Sequence, residues 1–365
     1  MTNNKGRLAL MTEPGKLEYQ EYDLPSAQPG AVLVQVLRSN VCGSEVHIWC
    51  GHHPQKKRGG LGHEMIGTIT ELGDGVTCDH AGTPIQVGDR IVATYFIFCK
   101  RCNPCQHGQI NLCTNAYQFW GQQPEEAPHF HATFSTHYYI HPDQYFYKVP
   151  DNVSDQAAAS ANCAQSQVYF AIEQAELIYG EVVVIQGAGG LGLNAAAIAK
   201  EKGATVIMVD AVQSRLDMAK RFGADHLVNM AEHTTVEARV AHIQSLTNGL
   251  GADVVIEVAG VPAAFAEGFQ LARAGGRFVV MGNISPGKVV EFDPGLLTRH
   301  NVNIIPVLRY YPWYLHKSLE FLSVNKEKYP FEDLLDAEFS MDEIEEALAR
   351  SADRTVTRAS IVMPT

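Results

Sequence analysis

A short apolar run followed by closely spaced glycines constrains the fold of this chain more than any other feature. The run Val182–Gln186 reads VVVIQ, and an Ala-rich stretch that predicts a helix lies shortly after it. The six residues between them fit the pattern G-x-G-x-x-G: Gly187, Ala188, Gly189, Gly190, Leu191 and Gly192. A strand, a glycine-rich turn and a helix in this order are typical of a dinucleotide-binding βαβ unit.

Each glycine of the turn has its own physical role in such a unit. Gly187 allows a tight turn, Gly189 lets the backbone approach a pyrophosphate, and Gly192 lets the helix pack closely on the strand. The helix start, at Gly190 and Leu191, offers N–H groups without partners and a partial positive charge to the phosphates. The alternative is a βα turn that binds no ligand.

An acidic residue, Asp210, ends the next apolar run, 23 residues after Gly187. A carboxylate at this position accepts hydrogen bonds from the adenosine ribose hydroxyls and repels a 2′-phosphate, which favours NAD over NADP. Arg215 lies close enough in sequence to contact the cofactor as well, and it keeps NADP open as the alternative.

Strands and helices are predicted to alternate from about residue 155 onward, which is the pattern of a parallel sheet covered by helices. The first helix is predicted over the Ala-rich segment Asp155–Gln174. Residues 1–150 instead contain short apolar runs, among them Arg90–Ile97, between Gly, Pro and Asp turns, and they predict a small barrel or distorted sandwich. The run Ala359–Met363 is predicted to be a strand that returns to this N-terminal region.

The length of 365 residues corresponds to about 2.4 domains of average size. We therefore predict an α/β protein with two domains. The β-rich domain is formed by residues 1–163 and 301–365, and a doubly wound nucleotide-binding domain over residues 164–300 interrupts it.

Charge and hydropathy exclude several classes of partner. The 40 acidic residues exceed the 28 basic ones, giving a net charge of −12, which disfavours a nucleic-acid binder. No apolar run reaches the roughly 18 residues that a membrane helix needs, and the N-terminus lacks the apolar stretch of a signal peptide. We expect a cytoplasmic protein that acts on a small molecule.

Half of the eight cysteines are clustered within fifteen residues: Cys99, Cys102, Cys105 and Cys113. In a reducing compartment, clustered thiols are metal ligands more often than disulfides. Four thiolates fill every position of a tetrahedral zinc ion, so the cluster predicts a structural zinc site. Free buried thiols or an iron–sulfur cluster are the alternatives, although the spacing differs from that of iron–sulfur proteins.

Three further segments carry metal-type side chains: Cys42-Gly-Ser-Glu-Val-His47, Gly62-His63-Glu64, and Cys163. Each is weak evidence by itself, because a lone cysteine is usually a small core residue. Together with Val87–Val92 (VGDRIV), the four-cysteine loop and the glycine-rich turn, they resemble the zinc-dependent medium-chain alcohol dehydrogenases, which include the liver-type alcohol, sorbitol and threonine dehydrogenases. The resemblance covers essentially the whole chain.

The resemblance implies a GroES-like catalytic domain, a Rossmann domain that binds NAD, and two zinc ions per chain. By this resemblance, Cys42, His63 and Cys163 bind a catalytic zinc whose fourth position is open to water or a substrate oxygen. Sorbitol dehydrogenase-like members use a glutamate and water in place of the last cysteine, so Cys163 follows the liver-type pattern.

The same resemblance assigns catalytic roles near these ligands. Ser44 resembles the hydroxyl that takes the proton of the alcohol, and His47 resembles the imidazole that relays it, the alternative being a surface histidine. Glu64 is implied as a residue that lies behind the zinc or contacts it transiently. Glu45 stands where the family commonly has Asp, and its longer side chain could still bond His63.

Other candidate residues carry less specific signals. Trp49 and Tyr95 match positions that line the substrate pocket, with core packing as the alternative. Arg358 resembles a C-terminal arginine that reaches the cofactor pyrophosphate, with a solvated surface arginine as the alternative. The run Lys56-Lys57-Arg58 predicts an exposed loop, or else a basic patch that steers an anionic substrate.

The implied reaction is the reversible, NAD-dependent oxidation of an alcohol, with a secondary alcohol favoured, to a ketone or aldehyde. The family forms homo-oligomers, and the short stretch after Cys113 favours a tetramer over a dimer. One alternative is a zinc-dependent aldehyde dehydrogenase or dismutase with tightly bound NAD. The alternative from a different class is a non-catalytic homologue that binds zinc and a nucleotide. The substrate itself is left open.

Overall fold

The computed structural model describes residues 5–53, 56–282 and 286–364. The chain divides into two compact units, each with its own sheet structure. Unit 1 comprises residues 1–166, 311–327 and 331–365, and unit 2 comprises residues 167–310 and 328–330. The divisions therefore fall at 166 and 310, whereas the sequence predicted them at 163 and 300.

Short strands dominate the first part of the chain, and helices alternate with strands in the rest of the described residues. The strands are β1 (Lys5–Glu13), β2 (Lys16–Asp23), β3 (Val32–Asn40), β4 (Gly59–Gly60), β5 (Glu64–Leu72), β6 (Arg90–Ala93), β7 (His137–Ile140), β8 (Phe146–Lys148), β9 (Val182–Gln186), β10 (Thr205–Asp210), β11 (His226–Asn229), β12 (Ala252–Glu257), β13 (Ala272–Val280), β14 (Asn303–Pro306), β15 (Ala337–Ser340) and β16 (Ala359–Val362). The helices are α1 (Gly43–Trp49), α2 (Asn103–Gln106), α3 (Asp155–Ala158), α4 (Ser166–Gln174), α5 (Gly190–Glu201), α6 (Gln213–Arg221), α7 (Val236–Leu246), α8 (Pro262–Leu271), α9 (Pro294–His300), α10 (Trp313–Asn325) and α11 (Ile344–Ala352). Short 3₁₀ turns lie at Ile110–Leu112, Phe331–Leu334 and Met341–Glu343.

Two sheets build most of unit 1. The larger sheet has the order β15-β16-β3-β5-β6-β8, with β7 also paired to β3, and the smaller has the order β2-β1-β4. Their apolar side chains meet in one core, where Met11 of β1 is buried together with Val34 of β3 and Ile91 of β6. Strand β3 is buried on both faces, since Val34 lies in this core and its neighbour Leu33 lies in a second cluster with Leu10 of β1. The predicted β-rich N-terminal region is confirmed.

The C-terminal segment returns to this unit, as predicted. Strand β16 runs antiparallel to β3, with Ile361 opposite Ser39. The backbone N–H of Met363 donates to Leu37 O at 3.1 Å. This pairing brings the residue just before β16, Arg358, next to the start of β5.

The helix predicted over Asp155–Gln174 is confirmed over most of its length, but a π-helical turn over Ala161–Gln165 interrupts the α-helical hydrogen bonding between α3 and α4. The Asn162 side chain explains the break, since its amide donates to His63 O and to Ala93 O, both at 2.8 Å. Such π turns occur frequently at functional sites. The strand predicted over Arg90–Ile97 also ends early, at Ala93. The next residue, Thr94, donates a hydrogen bond from its Oγ1 to Phe96 O at 3.0 Å.

Unit 2 contains the predicted doubly wound sheet. Six parallel strands lie in the order β11-β10-β9-β12-β13-β14. The central strand β9 is covered on both faces, since Val183, Val184 and Ile185 are all fully buried. The strand order reverses between β9 and β12, and in open α/β sheets a ligand binds at such a switch point, beyond the carboxyl ends of the strands.

Candidate active site

Three potential metal ligands from distant parts of unit 1 converge on one point. Cys42 immediately precedes α1, His63 immediately precedes β5, and Cys163 lies in the π-helical turn. Gly62 adopts a φ of +86°, and a Cβ there would come within 2.5 Å of Phe134. Only glycine is therefore compatible with the turn that presents His63.

The distances between these side chains fit a tetrahedral zinc ion. Cys42 Sγ lies 3.8 Å from Cys163 Sγ, and His63 Nε2 lies 3.3 Å from Cys163 Sγ. Zn–S bonds of about 2.3 Å at tetrahedral angles place two sulfurs about 3.8 Å apart. The ligand atoms of Cys42, His63, Cys163 and Glu64 all lie within 4.8 Å of one another. The donor set of two sulfurs and one imidazole suits zinc.

Glu45 fixes the orientation of the histidine. Its side chain is fully buried in α1, and its Oε1 lies 2.5 Å from His63 Nδ1. The other oxygen, Oε2, accepts a hydrogen bond from the Cys42 backbone N–H at 3.1 Å. One carboxylate thus positions two ligands, and it leaves the Nε2 atom of His63 directed to the sulfurs. Glu45, which stands where the family commonly has Asp, therefore reaches His63 despite its longer side chain.

A buried ion pair lies behind the cluster. Arg358 Nη2 donates to Glu64 Oε2, and both side chains are buried. Burial raises the pKa of Glu64 to about 7, although the Arg358 charge opposes this shift. Glu64 Oε1 and Arg358 Nε are buried without a hydrogen-bond partner within the described part of the chain. An unpaired carboxylate oxygen beside the ligand atoms is consistent with a cation at this site.

The two thiols respond oppositely to their surroundings. Hydrogen bonding from Cys163, together with His63, holds the pKa of Cys42 well below its ordinary value despite burial. The hydrogen bond to Cys42 and burial raise the pKa of Cys163 well above its ordinary value. Burial disfavours the His63 cation, but Glu45 and Cys42 outweigh it and raise the pKa of His63. The surroundings of the two thiols therefore favour the thiolate form at Cys42 over that at Cys163.

Ser44 and His47 are three residues apart on α1, the spacing that places two side chains on the same side of a helix. Both are half-buried. Ser44 Oγ lies 3.5 Å from Glu45 Oε2, and the His47 ring lies 6.0 Å from that of His52. The helix thus presents both predicted relay residues beside the ligand Cys42, and their roles stay a prediction.

The two predicted pocket residues lie in different surroundings. Tyr95 is half-buried, and its ring centroid lies 4.9 Å from that of His63. Trp49 is buried in the hydrophobic core of unit 1. Two aromatic residues that the sequence analysis did not single out continue the row from Tyr95: Tyr117, 6.3 Å away, and Trp120, 5.9 Å beyond it. No motif marks them, because they follow the last cysteine of the four-cysteine loop.

The four-cysteine loop forms a second cluster in unit 1. The sulfurs of Cys99, Cys102, Cys105 and Cys113 lie within 4.8 Å of one another. Backbone N–H groups compensate the sulfurs: Cys102 N donates to Cys99 Sγ, and Cys99 N donates to Cys113 Sγ, both at 3.3 Å. Lys100, which lies between two of these cysteines, forms an ion pair with Asp143 at 2.8 Å. The hydrogen bond from the Asn115 side chain lowers the pKa of Cys99 to about 6.

In unit 2, the glycine-rich turn follows β9 as predicted. Gly187 has a φ of +106°, and a Cβ on Gly192 would come within 1.8 Å of Gly187 O. Gly189 caps the N-terminus of α5, which begins with Gly190 and Leu191. A side chain at Gly192 would therefore push the helix away from the turn. Its absence allows the close packing of helix and turn that is expected of a dinucleotide site.

Asp210 ends β10 beside this turn. Its Oδ2 accepts a hydrogen bond from Ala188 N at 2.7 Å, and its Oδ1 accepts one from Val212 N at 2.9 Å. A carboxylate has about four acceptor sites, so it can also accept ribose hydroxyls. Arg215 is half-buried on α6. Its contact with a cofactor, like that predicted for Arg358, stays a prediction.

Comparison with known proteins agrees with this description. The family model of the alcohol dehydrogenase GroES-like domain matches residues 28–151, and that of the zinc-binding dehydrogenase matches residues 190–323. The 5-exo-hydroxycamphor dehydrogenase of Pseudomonas putida is 33% identical, with 94% of each chain covered. Sorbitol dehydrogenase of Bacillus subtilis is 29% identical, over 94% of this chain and 93% of its own.

A solved structure shows the same likeness. The crystal structure of an alcohol dehydrogenase from Thermotoga maritima superimposes with a TM-score of 0.91 at 30% identity, covering 99% of this chain and 100% of the other. The chain belongs to the zinc-dependent medium-chain alcohol dehydrogenase family. It is an oxidoreductase of that type, and the family supports NAD-linked oxidation and reduction of alcohols. In the described residues, no helix combines the length and apolar character needed to cross a bilayer.

Proposed function

We propose that this protein is an NAD-dependent alcohol dehydrogenase that interconverts a secondary alcohol and a ketone reversibly. The observation that carries the proposal is the convergence of Cys42, His63 and Cys163 at tetrahedral zinc distances. A zinc ion held there supplies a Lewis acid that polarises the alcohol oxygen, and NAD accepts the hydride. Two thiolates and a neutral imidazole balance the charge of the ion without filling its fourth position.

The protein residues around this site hold the ligands and move the proton. Glu45 orients the His63 ring, and the Arg358 guanidinium keeps Glu64 paired behind the ligands. The Ser44 hydroxyl takes the proton of the alcohol, and His47 passes it toward solvent, a task that suits a group with a near-neutral pKa.

Cofactor and metal content follow from the other two sites. The phosphates of NAD bind at the start of α5, and Asp210 binds the adenosine ribose and rejects a 2′-phosphate. The four-cysteine loop holds a second, structural zinc ion, since four sulfurs leave no position for a substrate. We propose a cytoplasmic homo-oligomer, with a tetramer favoured over a dimer.

The preference for a secondary alcohol draws on two relatives. They are named 5-exo-hydroxycamphor dehydrogenase and, in Pyrococcus horikoshii, L-threonine 3-dehydrogenase, the latter 32% identical over 78% of each chain. The Cys-Gly-Ser-Glu-Val-His string of residues 42–47 also resembles the sorbitol and threonine branch more than the ethanol branch.

The test is a substrate screen with the zinc-loaded protein. NADH absorbance is followed while primary and secondary alcohols, and the matching ketones in the reverse direction, are supplied with NAD or NADP. We expect turnover with NAD that is faster for secondary alcohols. Absence of turnover across a broad panel would contradict the proposal, and turnover without added NAD would favour a dismutase with tightly held cofactor.

A further inference from the structure

One lysine of the basic run Lys56-Lys57-Arg58 does not lie in solvent. Lys57 and Arg58 are exposed, with Lys57 Nζ donating to Gly51 O at 2.6 Å and Arg58 paired with Glu125. Lys56 Nζ is buried, and it has no hydrogen-bond partner anywhere in the described residues. It lies 3.0 Å from the centroid of the Trp120 ring. The prediction that this basic run is exposed is therefore wrong for the side chain of Lys56.

A buried ammonium without hydrogen bonds is costly, because three N–H donors lose water and gain nothing in return. The Trp120 face offsets part of this cost through a cation–π contact. Burial lowers the pKa of Lys56 to about 7, with the Glu45 carboxylate as the charge that opposes the shift. The described surroundings of Lys56 thus provide no hydrogen-bond acceptor for its ammonium group and little compensation for its charge.

The position of Lys56 connects it to the proposed zinc site. Trp120 is the far end of the aromatic row that begins with Tyr95 beside His63. Trp120 Nε1 donates to Gly62 O at 3.3 Å, so the ring is attached to the residue before the ligand histidine. The Glu45 carboxylate, whose charge acts on the pKa of Lys56, is also the group that orients His63.

We propose that Lys56 is a substrate-recognition residue, and that the substrate carries a carboxylate or phosphate group in addition to its alcohol. An anion would occupy the free donors of Lys56 and neutralise its charge, whereas a neutral hydroxyl could do only the first. The aromatic row of Tyr95, Tyr117 and Trp120 would contact the carbon skeleton between the two polar ends. This inference rests on the proposed dehydrogenase function, and it names the substrate class.

A binding experiment tests the anion site without catalysis. Trp120 is one of three tryptophans in the chain, and its emission should report on a group bound at Lys56. The full-length protein at pH 6, where Lys56 is protonated, is titrated with 3-hydroxybutyrate, glycerol 3-phosphate or neutral 2-butanol. We expect a saturable change with one or both anions and none with 2-butanol. The change should be lost in Lys56→Met and Trp120→Phe and retained in Lys57→Met. An unchanged response in Lys56→Met would overturn the proposal.

A kinetic experiment tests the role of Lys56 separately from the proposed dehydrogenase function. With NAD supplied, Lys56→Met should raise KM for the anionic alcohol at least tenfold, with kcat and zinc content within twofold of the unmodified protein. KM for the best neutral alcohol should not change, and Lys57→Met should behave as the unmodified protein. Turnover of neutral alcohols with no Lys56-dependent preference for anions would refute the inference and leave the dehydrogenase proposal standing. Anion binding that depends on Lys56, in a protein that oxidises no alcohol, would refute the dehydrogenase and leave the anion site.

Discussion

The two cysteine clusters of unit 1 are built in opposite ways. The loop of Cys99–Cys113 takes all its ligand atoms from one short segment, and nearby backbone N–H groups and the Asn115 side chain donate to its sulfurs. The cluster at Cys42, His63 and Cys163 joins residues up to 121 positions apart, and side chains surround it: Glu45, Glu64 and Arg358. The loop carries its own support, whereas the dispersed cluster exists only when the whole unit is folded.

This difference matches the chemistry that each cluster can perform. Four thiolates leave a zinc ion with a net charge of −2 and no open position, which suits a structural role. Two thiolates and an imidazole leave the ion neutral and open on one side, so it can polarise an oxygen. The side-chain partners then matter, because they decide orientation and local charge at a reacting centre.

The largest effect should come from breaking the dispersed cluster. Cys42→Ser removes one thiolate, so we expect zinc to fall from two ions per chain to one. Alcohol oxidation should fall by more than the roughly 10- to 100-fold that loss of an outer partner costs. Metal analysis and NADH absorbance measure both. Cys50→Ser, at an exposed free thiol, is the matched control and should change neither. Two zinc ions in Cys42→Ser would remove Cys42 from the ligand set.

The second effect concerns the proton path rather than the metal. Ser44→Ala should leave both zinc ions in place and reduce turnover by about 10²-fold or more, because a positioned proton acceptor typically contributes about 10² to 10⁴. Ser44→Thr retains the hydroxyl and should restore part of the activity. Unchanged turnover in Ser44→Ala would exclude the hydroxyl from the relay, and lost zinc would mean that it acts on the metal site instead.

The sequence predicts the two clusters unequally for the same reason. Spacing alone identifies the local loop, since the chain between Cys99 and Cys113 is short. The dispersed ligands needed a family resemblance, because nothing in the sequence near Cys163 shows that it meets Cys42. The ion pair of Glu64 with Arg358, 294 residues away, depends on the pairing of β16 with β3, which local patterns do not encode.

Other failures of the sequence reasoning also arise from long-range contacts. The apolar pattern of Asp155–Gln174 fits a helix, but the Asn162 amide bonds to two backbone oxygens of other segments, and the helix breaks there. Likewise, a run of three basic residues normally lies in solvent, but the Nζ of Lys56 is buried against the Trp120 ring, 64 residues further on. The parallel sheet of unit 2 was predictable, because its strands and helices alternate locally.

A smaller effect should follow from altering a partner rather than a ligand. Glu45→Gln keeps the size of the side chain but removes its charge and leaves one acceptor oxygen, which cannot serve both His63 Nδ1 and the Cys42 N–H. Affinity for the zinc of the dispersed cluster should fall about 10- to 100-fold, measured by competition with a chelator, while the four-cysteine loop keeps its ion. Glu343→Gln, on a carboxylate that caps the 3₁₀ turn at Met341, is a control for loss of one negative charge. Equal zinc affinity in Glu45→Gln would show that orientation of His63 does not need the carboxylate.

The smallest effect on turnover should come from the loop. Cys105→Ser removes one of four local ligands, so the loop should lose its ion and the melting temperature should fall, because binding of a structural zinc contributes to folding free energy. The residual turnover at 25 °C should stay within about twofold, since the dispersed cluster shares none of the loop's ligands and effects at separate sites are nearly independent. Cys78→Ser, at another exposed free thiol, should leave both zinc content and melting temperature unchanged. If Cys105→Ser instead abolished turnover while the protein stayed folded and kept the other zinc, the loop would be coupled to catalysis, and the division into one supporting cluster and one reacting cluster would be wrong.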